Sequence, residues 1–411
     1  MGMEQIRNRA SREWASLMRI MIAVTPQYIA FHGQAIFTVN LCEGLAKNGH
    51  TVQALVASET GKPYRTERNA VQIEALQSMS LKLFHPDAFL PLFSARAVRA
   101  AILAFKPDII HIQDHYPVCR NAVLAARRLG IKVIGTNHFM PENLAPYVPV
   151  LSLVKPVFNW VLWRWMRETY DRLEAVACPS RTAAVLLHKV GVRPPVFPIS
   201  CGANIRHFHP DPWVNRSAWC SRYGIDSSKK IFFFVGRVDR EKRVDVLLRA
   251  LKRVDREDIQ LVIAGKGAYR TQLINLADEL NLGNKIHFTG FLPNEDLPSV
   301  LNSIDVFAMP SEAELLSIST LQAMGCSRPV LAANAVALPE LVTEDLNGML
   351  FKPGDVADAA RCMEWFANHR ERWSGMGAAS LEKVQVHSLE NIVRQYESLY
   401  ESVLSGTQRS Q

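Results

Sequence analysis

Two charged clusters in the second half of the chain have the residue types and spacing to hold a phosphorylated ligand. The first lies in Pro310-Ser311-Glu312-Ala313-Glu314-Leu315-Leu316-Ser317-Ile318 and continues to Gln322-Ala323-Met324-Gly325. The apolar run Ile304-Asp305-Val306-Phe307 reads as a strand before it, and Pro310-Ser311 reads as a turn. A helix is expected to begin close to Glu314 and to end near Gly325. Free backbone N–H groups at such a start, together with the positive end of the helix dipole, suit phosphate oxygens. Glu314 and Gln322 are eight positions apart, near two helical turns, so one face could carry both. They would then bracket a phosphorylated sugar ring and the ribose behind it.

The second cluster follows the buried-strand pattern Lys230-Ile231-Phe232-Phe233-Phe234-Val235. Gly236 lets the backbone approach a ligand, and Arg237 and Lys242, five apart, could clamp a pyrophosphate without a metal. In the first half, polar residues fall where strands end. His111, Gln113, Asp114 and His115 follow or close one apolar run, and Asn137-His138 follow another. Gly33, in His32-Gly33-Gln34, is either a turn glycine or a point of backbone contact with phosphate.

The elements that must position these residues alternate. Strands are expected at Met18 to Val24, His50 to Val56, Asp108 to Ile112, Lys132 to Thr136, Ala175 to Ser180 and Val196 to Ile199. Helices are expected over 35–47, 93–105, 118–129 and up to Val190. The alternation starts afresh at Lys230, with helices over 244–254 and 270–280, strands Gln260 to Ala264, Lys285 to Thr289, Ile304 to Phe307 and Val330 to Ala333, and a turn at Gly265-Lys266-Gly267. Strands separated by helices imply right-handed crossovers and parallel sheets with both faces covered. Ligands on such sheets bind beyond the carboxyl ends of the strands.

A proline-rich stretch, Pro194 to Pro212, places a domain boundary near residue 205. The expected division is an N-terminal extension at 1–17, a first domain at 18–205, a second at 206–388, and an amphipathic closing helix with a tail at 389–411. That helix, about Leu389 to Val403, has no strand after it and is expected to return to the first domain.

The net charge of +8 is uneven: residues 1–200 carry 23 basic and 13 acidic residues, the remainder 24 and 26. A basic first half suits an anionic surface, but no nucleic-acid motif accompanies the charge. The seven cysteines stand singly, without a C-x-x-C, so neither a disulfide framework nor a zinc site is indicated and a reducing cytoplasm is expected. No apolar run is long enough to span a bilayer. Between Val148 and Thr169, Trp160, Trp163 and Trp165 are interleaved with Lys155, Arg164 and Arg167. That pattern suits a helix lying in a headgroup layer, or a buried helix whose basic end reaches water.

Taken jointly, these motifs resemble the retaining nucleotide-sugar glycosyltransferases of family 4. The resemblance covers nearly the whole chain after residue 18. It is carried by Gly33, Thr136-Asn137-His138, Cys201-Gly202-Ala203-Asn204, Val235-Gly236-Arg237 through Lys242, and Pro310-Ser311-x-x-Glu314 followed by Gln322-Ala323-Met324. It implies an α/β GT-B fold, two facing Rossmann-like domains with parallel sheets and a C-terminal helix returning to the first. It further implies that Arg237 and Lys242 neutralise the donor pyrophosphate. Glu314 would meet the sugar hydroxyls with the amides of Leu315, Leu316, Ser317 and Ile318 around it. His138 would approach the sugar, and Gly33 would offer an N–H to phosphate. Gly236 and Gln322 complete the donor set, and Gln113, Asp114 and His115 form the acceptor side. Gln322 stands where the family has a glutamate, and Leu315-Leu316-Ser317 replaces a small, glycine-rich stretch.

The expected activity is transfer of a hexose from a nucleotide-diphosphate sugar, UDP-linked by preference, to a membrane lipid such as diacylglycerol. No metal and no other cofactor is expected, since the chain contains no Asp-x-Asp. His138-Phe139-Met140-Pro141-Glu142-Asn143-Leu144 is similar to segments of bacterial diacylglycerol glycosyltransferases. Contact with an anionic membrane through the first domain, on the cytoplasmic face, follows from that reading. A soluble sugar, polysaccharide precursor or secondary metabolite is the alternative acceptor, and a non-catalytic sugar-nucleotide-binding protein the alternative role.

Overall fold

A computed structural model describes residues 17–25, 28, 33–80, 89–91, 93–140 and 155–407. Within it, aromatic and branched residues build two mainly parallel sheets. The extended run Lys230–Val235 has its four middle residues buried, and Lys132–Thr136 is buried from Val133 onward. Continuous burial of this kind is what a parallel strand covered on both faces requires.

The first sheet has eight strands. In spatial order they are Val196–Pro198, Ala175–Cys178, Lys132–Thr136, Ile109–Ile112, Arg19–Ala23, Thr51–Ala57, Val71–Leu76 and Tyr64–Arg68. The second has six: Ile286–Gly290, Ile259–Ala264, Lys230–Val235, Val306–Met309, Val330–Ala333 and Gly348–Phe351. Every pair in the second sheet is parallel.

Leaving aside the antiparallel edge strand Tyr64–Arg68, both sheets reverse their winding once. In the first, the chain steps one way from Arg19–Ala23 to Thr51–Ala57 and the other way from Ile109–Ile112 to Lys132–Thr136; in the second, the reversal lies between Lys230–Val235 and Val306–Met309. Connections leave such a pair of neighbouring strands in opposite directions, which opens a crevice at their carboxyl ends.

By contacts the chain groups into two units. One comprises Met1–Thr136, Glu168–Val176 and Tyr396–Gln411, and the other Asn137–Arg167 and Ala177–Gln395. Sheet membership changes between Pro198 and Lys230. The closing helix, Leu389–Ser405, carries its last turns into the first unit, where Tyr396 and Tyr400 are fully buried. There Tyr400 Oη lies 2.8 Å from His111 Nδ1, His111 Nε2 lies 2.7 Å from Thr136 Oγ1, and Thr136 Oγ1 lies 2.9 Å from Tyr396 Oη. Tyr170 Oη donates to Thr136 O at 3.1 Å. His111 is thus an interior hydrogen-bonding group.

The hairpin Tyr64–Arg68/Val71–Leu76 has no counterpart in the expected element order. Its outer strand is Tyr-Arg-Thr-Glu-Arg, which is mostly exposed and ends the sheet. Charged residues on a sheet edge discourage further pairing and erase the apolar pattern by which strands are read. The expected extension up to residue 16, His32, residues 141–144 of the His138 motif and residues 148–154 of the Trp/Arg segment lie outside the described residues.

Candidate active site

In the second unit, the loop after Lys230–Val235 crosses the loop after Ile259–Ala264. Gly265, at φ +134, approaches so closely that a Cβ there would lie 1.9 Å from Gly236 O, and a Cβ on Gly267 would lie 2.2 Å from Val238 O. The crossing fixes Gly236 and the turn that follows it. Val238 N donates to Lys266 O at 2.8 Å, and Ala268 N donates to Asp239 Oδ1 at 3.0 Å. Gly236 itself is half-buried.

From this turn, Arg237 donates to Asp239 Oδ2 through Nη1 and to Glu241 Oε1 through Nη2, the latter at 2.9 Å. A single 3-10 turn, Arg240–Lys242, then presents Lys242, whose Nζ lies 2.5 Å from Glu314 Oε1. The pair brings together residues 72 positions apart, one from each side of the winding reversal. Both side chains are mostly covered, at 15% and 12% exposure. Arg237 and Lys242 therefore stand near the crevice with their charges already balanced by carboxylates. Any anion that took up these cations would have to displace Asp239, Glu241 and Glu314 from them.

The segment 311–314 is tied down from the same side. Glu312 N donates to Glu241 O at 3.3 Å, Ser311 Oγ donates to Glu241 O at 3.4 Å, and Arg243 Nη1 pairs with Glu312 Oε1. Arg243 has φ +51, a left-handed conformation that costs most side chains about 1 kcal/mol. Burial pulls the Arg243 pKa down, but the Glu312 and Asp245 carboxylates outweigh it and leave the guanidinium above its ordinary value.

One expectation is corrected here: the helix does not begin near Glu314. It spans Ile318–Gly325, with Ser317 extended as its N-cap and Ser317 Oγ accepting from Thr320 N at 3.2 Å. The serine side chain satisfies an amide that would otherwise be exposed, so the helix starts after it. Glu314, Leu315, Leu316 and Ser317 thus form a loop. Glu314 and Gln322 do not share a helix face. Leu315, Leu316 and Ser317 are buried, whereas Ile318 and Gln322 are half-buried on the helix.

In the first unit, Gly33 is exposed as the first residue of the helix Gly33–Lys47. Asp114 crosses the winding reversal. Its carboxylate accepts from Thr25 N and Thr25 Oγ1, each at 2.8 Å, and from Tyr116 N at 2.9 Å. Burial raises the Asp114 pKa while these bonds oppose the rise. Gln34 Nε2 donates to Gln113 O at 2.9 Å, and the Gln113 side chain lies 3.2 Å from His111 Nε2. His115 is fully buried with its ring 4.6 Å from that of Tyr116, and burial lowers its pKa to about 4. Gln113, Asp114 and His115 are therefore brought together, but as interior groups that shape the loops at this reversal.

His138 belongs by contacts to the second unit and is half-buried. A reciprocal pair brackets it: Asn137 Nδ2 donates to Phe139 O at 3.1 Å, and Phe139 N donates to Asn137 Oδ1 at 3.2 Å. Asn137 N is held by Ala177 O at 2.9 Å. The imidazole is thus carried at the tip of a fixed turn.

Asp239, Glu241, Arg243 and Glu312 were not among the residues singled out in the sequence. One signal could have found two of them: an acidic pair, Glu312-x-Glu314, and a basic pair, Lys242-Arg243, each follow a buried strand by a few residues.

Two mainly parallel sheets wound in this way within one chain are the ingredients of the GT-B fold. The family description "Glycosyltransferase Family 4" matches residues 31–207, and "Glycosyl transferases group 1" matches residues 215–380. A glycosyltransferase of Methanocaldococcus jannaschii, MJ1607, is 31% identical over 337 residues, 78% of this chain and 81% of that protein. The alpha-monoglucosyldiacylglycerol synthase of Streptococcus pneumoniae is 26% identical, over 81% of this chain and 75% of that enzyme. The sulfoquinovosyl transferase SQD2 of Arabidopsis thaliana is 27% identical over 69% of this chain, but the match spans only 54% of SQD2. Among solved structures, Anabaena HepE in complex with UDP superposes with a TM-score of 0.75 at 18% identity, covering 94% of this chain and all of HepE. The chain belongs to glycosyltransferase family 4.

Proposed function

We propose that this glycosyltransferase moves a hexose from a nucleotide-diphosphate sugar to a membrane lipid such as diacylglycerol, with retention of configuration and without a metal. The observation that carries the donor half is the Lys242–Glu314 pair at the winding reversal of the second sheet, backed by Arg237. In this reading Arg237 and Lys242 leave their carboxylates to neutralise the pyrophosphate, and Glu314, released, accepts from the sugar hydroxyls. The amides between Leu315 and Ile318 and the Gly236 backbone line the sugar and phosphates, and the Gln322 amide meets the ribose. His138 approaches the sugar, and Gly33 N–H meets phosphate.

Chemistry then proceeds on one face of the sugar. The bond from the anomeric carbon to the phosphate oxygen breaks, and the acceptor hydroxyl oxygen bonds to that carbon. The hydroxyl proton passes to the departing phosphate oxygen. No protein nucleophile takes part, so rate rests on positioning and on charge compensation of the leaving group. A UDP-sugar is favoured as donor because the similar HepE structure holds UDP.

The lipid half rests on the helix Lys155–Tyr170. Val157, Trp160 and Val161 are 62%, 61% and 49% exposed, and the Arg164 guanidinium lies 5.8 Å over the Trp160 ring. Apolar and aromatic side chains exposed beside arginine suit an anionic headgroup layer. The similarity to a diacylglycerol-named synthase supports the same acceptor class. No helix among the described residues is long and apolar enough to cross a membrane.

The test is a donor screen with UDP-, GDP- and ADP-sugars, with and without anionic vesicles containing diacylglycerol, following nucleotide release and lipid product. Transfer only with vesicles, lost in Glu314→Ala and reduced in Trp160→Ala, is the expected result. Equal transfer to a soluble sugar without vesicles would overturn the lipid acceptor, and absence of any donor binding would overturn the transfer itself.

A further inference from the structure

Arg243 occupies a position that opposes its residue type. It lies between the turn Arg240–Lys242 and the helix Val244–Val254 at φ +51 and ψ 34, the left-handed region in which glycine is at ease and a long side chain is not. Its side chain is only partly solvated. Nη1 pairs with Glu312 Oε1, Nε donates to Asp245 Oδ1 at 3.3 Å, and the side chain is 30% exposed. Gly354, itself at φ +73, leaves the room: a Cβ there would meet Glu312 Oε1 at 3.2 Å and Arg243 Nη1 at 3.4 Å. Besides the Ser311 Oγ bond to Glu241 O, three fastenings join the 240–245 segment to the 311–314 loop across the winding reversal. One is the backbone bond from Glu312 N to Glu241 O, one is Arg243–Glu312, and one is Lys242–Glu314. The first two act on Glu312, and the third is the pair that meets the donor in the reading above.

We propose that Arg243 is a positioning residue, held in a left-handed conformation so that its guanidinium fastens Glu312 and thereby sets Glu314 against Lys242 for the sugar end of the donor. This rests on the donor reading of Glu314 and Lys242, and it extends that reading to residues that touch neither sugar nor phosphate. A residue with a merely structural role would lose stability when replaced by glycine. A strained positioning residue would not, because glycine relieves the backbone while abolishing the fastening.

The experiment uses the full chain with Arg243→Gly, Arg243→Lys and Glu312→Gln. Amide exchange of residues 312–317 without ligand reads the fastening directly. It should accelerate in Arg243→Gly and Glu312→Gln and be partly restored in Arg243→Lys. Melting of Arg243→Gly should be unchanged or raised by a few degrees. Binding of UDP-glucose, compared with that of UDP alone, reads the consequence. The sugar nucleotide should weaken about tenfold in Arg243→Gly, and UDP less than about twofold, as expected for loss of a charge-assisted bond that acts only on the sugar side. Unchanged exchange at 312–317, or a fall in melting temperature with UDP and UDP-glucose weakened alike, overturns the proposal. A wild-type protein that binds neither ligand overturns the donor reading instead, and the exchange result then still decides whether Arg243 fastens the loop.

Discussion

Removing one partner of Lys242–Glu314 should cost more stability than removing both. Each side chain is mostly covered, so Lys242→Ala leaves a carboxylate without its cation and is expected to cost about 1–3 kcal/mol in urea denaturation. Lys242→Met combined with Glu314→Gln should recover most of that loss, because two neutral groups of similar size need no ion partner. Activity should show no such recovery. Initial rates are expected to fall by about 10² or more in the single and double variants alike, since stabilisation of the leaving group is absent in each. The sequence showed the cations and Glu314 as chemistry, each set in a loop that follows a strand. It could not show that Lys242 is held by Glu314, because a pair 72 positions apart is fixed by the fold and leaves no periodic trace, nor that Arg237 turns back onto Asp239 and Glu241, because the local 3-10 turn sets that contact.

At the level of elements, the close crossing of two loops makes a strong demand on one residue. Gly265→Ala places a Cβ within 1.9 Å of Gly236 O in a left-handed conformation, so the Gly236 turn must move. A loss of roughly 2–4 kcal/mol is expected by thermal or urea unfolding, with a raised donor KM because Arg237 leaves that same turn. A second element depends on a remote carboxylate. Glu340 accepts from Arg181 N at 3.0 Å and from Thr182 N at 2.8 Å, so it binds the open amides at the start of the helix Arg181–Lys189. Glu340→Ala should cost about 1–2 kcal/mol, with the loss shrinking as salt is added. Buried strands such as Lys230–Val235 were plain in the sequence because both faces are covered and the run is unbroken. The start of Ile318–Gly325 was not, since a serine that caps a helix and a serine inside one look alike until the backbone is seen. Gly348–Phe351 escaped for another reason: it opens on Asn347-Gly348, a pair that reads as a turn.

For the whole molecule, acid should act before carboxylates protonate. Burial holds His115 and His387 neutral, each with a pKa lowered to about 4. His387 Nδ1 lies 2.8 Å from Ser200 Oγ, and Lys383 pushes its pKa the same way while Glu340 opposes. The unfolded chain binds these protons from about pH 6.5 downward and the folded chain does not, so stability is complete above pH 6.5 and falls as pH drops toward 4. The loss is roughly 2–3 kcal/mol per histidine at pH 4. His387→Gln should flatten the slope of melting temperature against pH over that range; an unaltered slope would assign it to other groups. The closing helix has a consequence of a different kind. Tyr396 and Tyr400 belong to the interior around His111 and Thr136, nearly 300 positions after the strand they complete. During synthesis, a ribosome will have released that first sheet long before the segment that finishes it. The nascent sheet must therefore wait with His111 uncovered, a natural client for a chaperone until that segment arrives.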